Sequence, residues 1–368
     1  MPSSPEDARA DTPAPEVICT EDNRAGIIVL NRPKALNALS RDMIGEMEAH
    51  FHAWAKNPHI YGVIQRARGD GAFCAGGDVK AIYAQRGTDP AAGARFYREE
   101  YQHNWTLQRF IKPTVSLMNG IVMGGGVGIS VHGTHRVAAE GYKLAMPETA
   151  IGLFPDIGAS YFLPRLPGRT GLYLGLTGAV VGPADGYRLG LATHCIGADR
   201  FDEIQTAMRE AEPIDPVLDD LHVDPGAGEL DPLRPAIDRC FAPGSIEDIL
   251  ARLTAESGDT AQWAQETAQT LRACSPTSLK LALRLYEEGA RANSLKESLK
   301  LEFRCAVRCL KAHDHYEGVR AKMIDKDNDP HWQPARLEDV TAAMIESYLA
   351  PLEDIPELDL TDHWNLVE

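Results

Sequence analysis

Short strand-like runs of apolar and β-branched residues mark the first part of this chain. Residues 16–32 hold two strand-like runs on either side of a turn at 22–26, a pattern typical of a β-hairpin. The second run, residues 27–30, is short, apolar and β-branched, as buried strands are. Further strands are predicted near 63–64 and at 114–118.

Between these strands the apolar spacing becomes helical. Ser40 predicts the start of a helix, because a serine side chain caps the free N–H groups of a first turn. The apolar positions that follow at helical spacing are Met43, Met47, Phe51 and Trp54. A second helix is predicted to begin near Asp78, and a third to span about 91–110. Strands and helices therefore alternate through about residue 210, which indicates an α/β architecture.

The rest of the chain has the pattern of helices. We predict a core at 16–211, a linker or insertion at 212–235, and a helical C-terminal region at 236–368. The linker prediction rests on a segment rich in Asp and Pro with little periodicity. Positions at helical spacing near the end of the chain are Leu295, Leu299, Phe303, Val307 and Leu310. Residues 1–15 are acidic and Pro-rich, which predicts a disordered tail.

Composition and charge exclude some functional classes. The 368 residues carry a formal net charge of -16, and such a surface repels nucleic acid. No apolar run approaches the roughly 20 residues that a membrane span needs. The N-terminal segment lacks the apolar core of a secretory signal, and it is too acidic for a transit peptide. We therefore expect no nucleic-acid or membrane partner and a cytoplasmic location.

Cysteine and histidine spacing gives no sign of a metal site. The seven cysteines are scattered without a CxxC pair, which favours reduced thiols. The twelve histidines form no HExxH motif and no Cys/His ligand set. We expect no metal.

Two glycine-rich segments, 74–78 and 123–128, each follow a predicted strand and precede a predicted helix. Glycine lets the backbone approach a ligand closely, and a helix N-terminus presents free N–H groups. Two N–H groups aimed at one point make an oxyanion hole. Taken alone, however, glycine clusters of this kind are more often simple turns. Neither matches a dinucleotide or P-loop motif.

A third segment, 145–160, places Glu148 and Asp156 in apolar surroundings rich in Gly and Pro. A carboxylate in such surroundings tends to have a raised pKa, which suits acid–base chemistry. Capping or turn carboxylates are the alternative interpretation.

The order of these segments resembles the crotonase (enoyl-CoA hydratase/isomerase) superfamily. The opening Leu30-Asn-Arg-Pro-Lys-Ala-Leu-Asn-Ala-Leu39 is similar to the family's CoA-binding start, and the resemblance covers roughly residues 16–320. It implies an α/β fold, a crotonase-type spiral of repeated ββα units with a helical C-terminal region. It also implies that the oxygen of an acyl-CoA thioester lies between the backbone N–H groups of Gly77 and Gly125.

The same resemblance implies which residues lie near CoA. By position they are Lys34, Ala35, Ala38 and Lys80. For the two lysines, a solvated surface position is an equally good interpretation. CoA arrives as part of the substrate, so no separate cofactor is expected. Family members often form trimers or hexamers, which makes a homo-oligomer a further expectation.

One family position separates the possible activities. Hydratases of the family use two glutamates around one water; one of them matches Glu148, but the other position is Gly128, which has no side chain. The segments 96–101, 123–133 and 146–156 resemble the 3-hydroxyisobutyryl-CoA hydrolase subfamily, and this similarity continues nearly to the C-terminus. Ordinary hydration is therefore disfavoured.

The subfamily resemblance implies that Glu100, Gly125, Glu148 and Asp156 contact the substrate. For Glu100, an exposed helix carboxylate beside Glu99 is the alternative. The implied reaction is hydrolysis of 3-hydroxyisobutyryl-CoA to 3-hydroxyisobutyrate and CoA, a step of valine breakdown. Two other activities stay open: an enoyl-CoA hydratase or isomerase, and an acyl-CoA-binding protein without catalysis.

Overall fold

The computed structural model describes residues 14–89 and 91–361. The predicted tail at 1–15 falls almost entirely outside the described residues. The strands are β1 (Val17–Asp22), β2 (Ala25–Leu30), β3 (Gly62–Ala67), β4 (Ala72–Cys74), β5 (Thr114–Met118), β6 (Ile121–Met123), β7 (His135–Ala138), β8 (Lys143–Ala145) and β9 (His194–Cys195).

Helices occupy most of the remaining described chain. Those of the first half are α1 (Arg41–Lys56), α2 (Val79–Gln85), α3 (Ala92–Arg109), α4 (Gly125–Val131), α5 (Ala159–Phe162), α6 (Thr170–Thr177) and α7 (Pro183–Arg188). Those of the second half are α8 (Phe201–Arg209), α9 (Ile214–Leu221), α10 (Arg234–Cys240), α11 (Ile246–Ala255), α12 (Ala261–Ala273), α13 (Pro276–Arg291), α14 (Leu295–Cys309), α15 (His313–Val319) and α16 (Ala342–Leu349).

The strands form two sheets, and the chain winds between them. The larger sheet has the order β1-β2-β3-β5-β7-β9, and the smaller has the order β4-β6-β8. Each of the pairs β3/β4, β5/β6 and β7/β8 gives its first strand to the larger sheet and its second to the smaller one. Apart from the antiparallel pair β1–β2, neighbouring strands are parallel. This is the predicted spiral of ββα units.

Local signals at the start of the chain are confirmed. The predicted hairpin forms, with Asp22 paired to Ala25 across its turn. The Ser40 hydroxyl accepts a 3.2 Å hydrogen bond from the Met43 N–H and so caps α1. The apolar stripe of α1 is buried, including Trp54. This packing fixes the chain that leads into the first glycine loop.

Part of the segment 212–235, predicted as a linker or insertion, is a regular helix. In α9, Ile214 and Leu218 are buried in a core cluster with residues of α8 and the larger sheet. The acidic residues of α9 face outward, and Asp215 lies 3.1 Å from the Nε2 of His135 on β7. The Asp-rich composition of this segment is therefore the outer face of an amphipathic helix. The domain boundaries themselves stay a prediction.

The C-terminal helices pack onto the spiral. The side chain of Ser275 caps α13, which begins at Pro276. Helix α14 packs against α3 and α5, with Leu299 and Phe303 buried. This packing brings the C-terminal region to the back of the candidate site. Within the described ranges, no helix is long and apolar enough to cross a membrane.

Candidate active site

The two glycine segments meet because their strands are neighbours. Strands β4 and β6 are parallel, so both loops leave the same end of the smaller sheet. A Cβ atom built on Gly125 would lie 3.2 Å from the backbone nitrogen of Gly77. Gly125 is the first residue of α4, so its N–H has no acceptor within the helix. The Leu39 N–H donates to Gly76 O, and the Asp78 N–H donates to Leu39 O, so within the described chain the Gly77 N–H has no backbone acceptor.

These loops form one wall of a cavity of about 450 Å³. Its walls are mostly apolar. They include Leu36, Val79, Phe96, Ile121, Met123, Ile151 and Leu153. Glu100, Glu148 and Asp156 line the same cavity, together with Gly77 and Gly125. The structure thus brings the predicted oxyanion glycines and the predicted carboxylates together, from elements far apart in the sequence.

Glu148 opens a short helix, Glu148–Ile151, directly after β8. Its side chain is 6% exposed, and its Oε2 has no hydrogen-bond partner among the described residues. A Cβ atom on Gly124 would lie 3.1 Å from Glu148 Oε1, which shows how closely the second glycine loop approaches the acid. Burial, and then the charge of Asp156, raise the pKa of Glu148 well above its usual range. Glu148 thus lines the cavity with one carboxyl oxygen whose hydrogen-bonding capacity is unused among the described residues.

Asp156 and Glu100 complete a cluster of three acids. Asp156 is 4% exposed, and its Oδ2 accepts a 2.7 Å hydrogen bond from the Tyr101 hydroxyl. Burial raises the pKa of Asp156 to about 6, although the bond from Tyr101 acts in the opposite direction. Glu100 is 2% exposed, and burial followed by the charges of Asp156 and Glu148 raises its pKa well above the usual range. Glu100 is therefore not an exposed helix carboxylate.

The mutual proximity of these acids has a chemical consequence. Like charges in a site of low dielectric disfavour full ionisation of the group, so the cluster retains protons at a pH where isolated carboxylates have lost them. A cluster of this kind can both accept and donate protons near neutral pH, as general acid–base catalysis requires.

Glu302 holds the loop that follows Asp156. It is fully buried on α14 and accepts hydrogen bonds from the Gly158 N–H at 2.7 Å and from the Ser160 N–H at 2.9 Å. The Ser160 hydroxyl donates a third bond at 2.6 Å. Ile157 and Gly158 have φ values of 54° and 84°, so the chain turns sharply here before α5. Burial raises the pKa of Glu302 to about 8 against the effect of these donors.

The position of the absent second glutamate is filled by other side chains. A Cβ atom on Gly128 would lie 2.8 Å from Asn104 Nδ2 and 3.0 Å from Ile157 Cβ. Both neighbours are buried. A larger residue at this position requires the side chain of Asn104 or Ile157 to shift.

The predicted CoA contacts are not among the residues that line the cavity. Lys34 and Ala35 lie on the exposed short helix Pro33–Ala35, and Lys80 is exposed on α2. Ala38 is half-buried, and its carbonyl accepts a hydrogen bond from Arg32. Leu36, between them, does line the cavity. CoA binding by these four residues stays a prediction.

Sequence reasoning missed several residues at or behind the site. Tyr97 and Lys322 line the cavity, and Tyr101 bonds Asp156. The spacing of Tyr97, Glu100 and Tyr101 was a usable signal, since residues i, i+3 and i+4 share a helix face. Glu302 was also detectable, as an acid within the apolar stripe of α14.

Comparison with known proteins gives the family. Residues 25–349 match the model of the enoyl-CoA hydratase/isomerase family. The chain belongs to this family. The solved carnitinyl-CoA dehydratase of Mycobacterium thermoresistibile has a TM-score of 0.88 and 39% sequence identity, covering 94% of this chain and 98% of that one. The predicted fold class is confirmed.

Curated relatives point to one branch of the family. The mitochondrial 3-hydroxyisobutyryl-CoA hydrolase of Danio rerio is 42% identical over 92% of this chain and 90% of its own length. The 3-hydroxyisobutyryl-CoA hydrolase 1 of Arabidopsis thaliana is 40% identical over 95% of this chain and 96% of its own length. The name of the first relative places that protein in mitochondria, so the cytoplasmic location expected for this chain stays a prediction.

Among the residues that the structure describes, no group of three or more His, Cys, Asp or Glu side chains is arranged to hold a metal ion. The cysteines of the described chain are free thiols, and most of them are buried.

Proposed function

We propose that this chain hydrolyses the thioester of 3-hydroxyisobutyryl-CoA, releasing 3-hydroxyisobutyrate and CoA, as in valine breakdown. The observation that carries the proposal is the placement of Glu148, a buried acid with a free carboxylate oxygen, in the cavity formed by the two glycine loops. Relatives about 40% identical over nearly the whole chain carry the name of this hydrolase.

The glycine loops are proposed to bind the thioester oxygen. In this arrangement the N–H groups of Gly77 and Gly125 donate to the oxygen as the carbonyl carbon becomes tetrahedral. Each such donor lowers the barrier by about 3–4 kcal/mol, since the charge on the oxygen grows in the transition state. The closeness of the two loops supports this role.

Glu148 is proposed to act on the thioester carbon by one of two routes. Its carboxylate attacks the carbon, giving an anhydride that water then hydrolyses, or it removes a proton from a water that attacks directly. In both routes the carbon–sulfur bond breaks and CoA leaves as the thiolate. Asp156 orients the attacking water or the acyl hydroxyl, and Glu100 assists.

We propose four residues for binding of the CoA moiety. Lys34, Ala35, Ala38 and Lys80 contact the CoA moiety, and CoA enters as part of the substrate with no other cofactor. We keep the expectations of no nucleic-acid partner and of a homo-oligomer as parts of this proposal.

An enoyl-CoA hydratase or isomerase is the second candidate function, because the similar solved structure is named a dehydratase. The packing around Gly128 disfavours it, since Asn104 and Ile157 occupy the space that a second glutamate would need. A single acid at Glu148 can position a water for attack on a thioester. Addition of water across a double bond in this family uses two.

The deciding experiment is a panel of acyl-CoA thioesters assayed for free CoA with a thiol reagent. The panel contains 3-hydroxyisobutyryl-CoA, isobutyryl-CoA and crotonyl-CoA. We expect CoA release to be fastest with the hydroxylated thioester. Loss of enoyl absorbance from crotonyl-CoA without release of CoA would identify a hydratase and overturn the proposal. An acyl-CoA-binding protein without catalysis would release CoA from none of the three.

A further inference from the structure

Helix α3 directs three polar side chains toward the candidate site. Tyr97, Glu100 and Tyr101 lie on one face of this helix. The Tyr101 hydroxyl donates a hydrogen bond to Asp156, whereas the Tyr97 hydroxyl has no hydrogen-bond partner among the described residues. Tyr97 is 2% exposed and lines the cavity. A buried phenol without a partner costs free energy unless a ligand supplies one.

The surroundings of Tyr97 determine whether its hydroxyl acts as a hydrogen-bond donor. Burial raises the pKa of Tyr97 well above its usual range, and the charges of Asp156 and Glu100 act in the same direction. The phenol therefore keeps its proton and is a donor. The free acceptors nearby are carboxylate oxygens: Glu100 Oε1 and Glu148 Oε2 each lack a partner among the described residues.

A ligand that satisfies these atoms must both accept and donate. A hydroxyl group does so: it accepts from the Tyr97 phenol and donates to a carboxylate oxygen. A thioester oxygen can accept but has no proton to give, and a plain acyl chain can do neither. The free polar atoms of the cavity are thus complementary to an acyl group that carries a hydroxyl.

We propose that Tyr97 is a specificity-determining residue, whose hydroxyl donates to the 3-hydroxyl of the bound acyl group while that 3-hydroxyl donates to Glu100 Oε1. The inference rests on the proposed function and adds to it. Asp156, which is already bonded to Tyr101, is then left to orient the attacking water.

The test compares Tyr97→Phe with wild type on 3-hydroxyisobutyryl-CoA and on isobutyryl-CoA. We expect kcat/KM to fall about 10- to 100-fold on the hydroxylated thioester, and to change less than about twofold on the plain one, because only the first loses a hydrogen bond. If kcat/KM falls equally on both substrates, Tyr97 instead holds a water or supports the fold, and the proposal is overturned. Any other result that leaves the ratio of the two kcat/KM values unchanged would overturn it as well.

Two comparisons keep the result interpretable. The hydroxyl of Tyr142 is also buried and has no hydrogen-bond partner in the described part of the chain, but Tyr142 does not line the cavity. Tyr142→Phe should therefore leave both activities unchanged. Tyr101→Phe should lower both activities together, because it removes the bond to Asp156.

A measurement on wild type makes the test independent of how the variant folds. A thioether analogue of the substrate, which cannot be hydrolysed, should inhibit at least about tenfold more strongly with the 3-hydroxyl than without it. Equal inhibition would overturn the role of Tyr97 while leaving thioester hydrolysis intact. A wild type that releases CoA from no thioester would overturn the proposed function instead.

Discussion

The hydroxyl of Tyr101 donates a 2.7 Å hydrogen bond to Oδ2 of Asp156. This bond joins α3 to the loop that leaves the short helix at Glu148, so elements separated by 55 residues share one buried contact. It also keeps Asp156 facing the cavity, where its charge acts on Glu100 and Glu148. The pH dependence of the proposed reaction depends on this arrangement.

Asp156→Asn should move the acid limb of the pH profile of kcat/KM to lower pH. The charge of Asp156 is a named cause of the raised pKa of Glu148, and removing it lets Glu148 ionise at lower pH. The profile is measured as CoA release from 3-hydroxyisobutyryl-CoA. The exposed Asp259 provides the matched control, since Asp259→Asn should leave the limb in place. A limb that stays unmoved in Asp156→Asn would contradict the coupling.

Glu148→Gln should reduce turnover by about a thousandfold or more, because the amide can neither attack the carbonyl carbon nor take a proton from water. The substitution is nearly isosteric, so acyl-CoA should still bind; binding is measured by calorimetry with the thioether analogue. Glu287→Gln, on the exposed face of α13, is the control and should keep full activity. Unchanged thioesterase activity in Glu148→Gln would remove this residue from the mechanism.

Substitutions of two glycines should have opposite effects on stability. Gly128→Ala brings its Cβ within 2.8 Å of Asn104 Nδ2 and should destabilise the fold by about 1–3 kcal/mol. Gly45 lies on an exposed face of α1, where an added Cβ would meet no described atom beyond the helix's own backbone within 4 Å. Gly45→Ala should therefore stabilise the fold by about 0.5–1 kcal/mol. Denaturant unfolding measures both. Equal effects would show that the space at Gly128 is not limiting.

The same crowding predicts the result of restoring the missing acid. Gly128→Glu should not add water to crotonyl-CoA, because its side chain must displace Asn104 or Ile157 before it reaches the cavity. Enoyl absorbance gives the measurement. A gain of hydration in this variant would show that the glycine alone separates the two activities.

Glu302→Gln should remove part of the pH dependence of stability. The folded state holds the Glu302 proton up to a pKa of about 8, whereas the usual value for the group is 4.5. Between these two values the folded state binds more protons than the unfolded state, so the free energy of unfolding falls as pH rises. Glutamine has no such proton to lose. The free energy of unfolding of the variant should therefore rise relative to that of wild type as the pH increases from 5.5 to 8.5. Parallel curves of unfolding free energy against pH would argue against the raised pKa of Glu302.

The sequence by itself determined the elements and their chemistry wherever the signal was local. Ser40 capped a helix, the hairpin closed at its predicted turn, and both glycine segments opened helices after strands. Each of these features depends on hydrogen bonds and side-chain spacing within a few residues, which a single sequence displays directly. The resemblance to the family predicted the spiral fold and indicated which acidic residues contact the substrate.

Only the tertiary structure decided which of these residues share a cavity. Glu100 and Tyr97 reach it because α3 packs beside α4, and Glu302 reaches the loop after Asp156 from α14, more than 140 residues away in sequence. Helix α9 formed in a segment that composition had indicated as a linker, since Ile214 gained a buried partner surface on α8 and the larger sheet. Such contacts depend on strand register and helix packing between distant segments, and the free energy of burial that fixes them exists only once those segments have met.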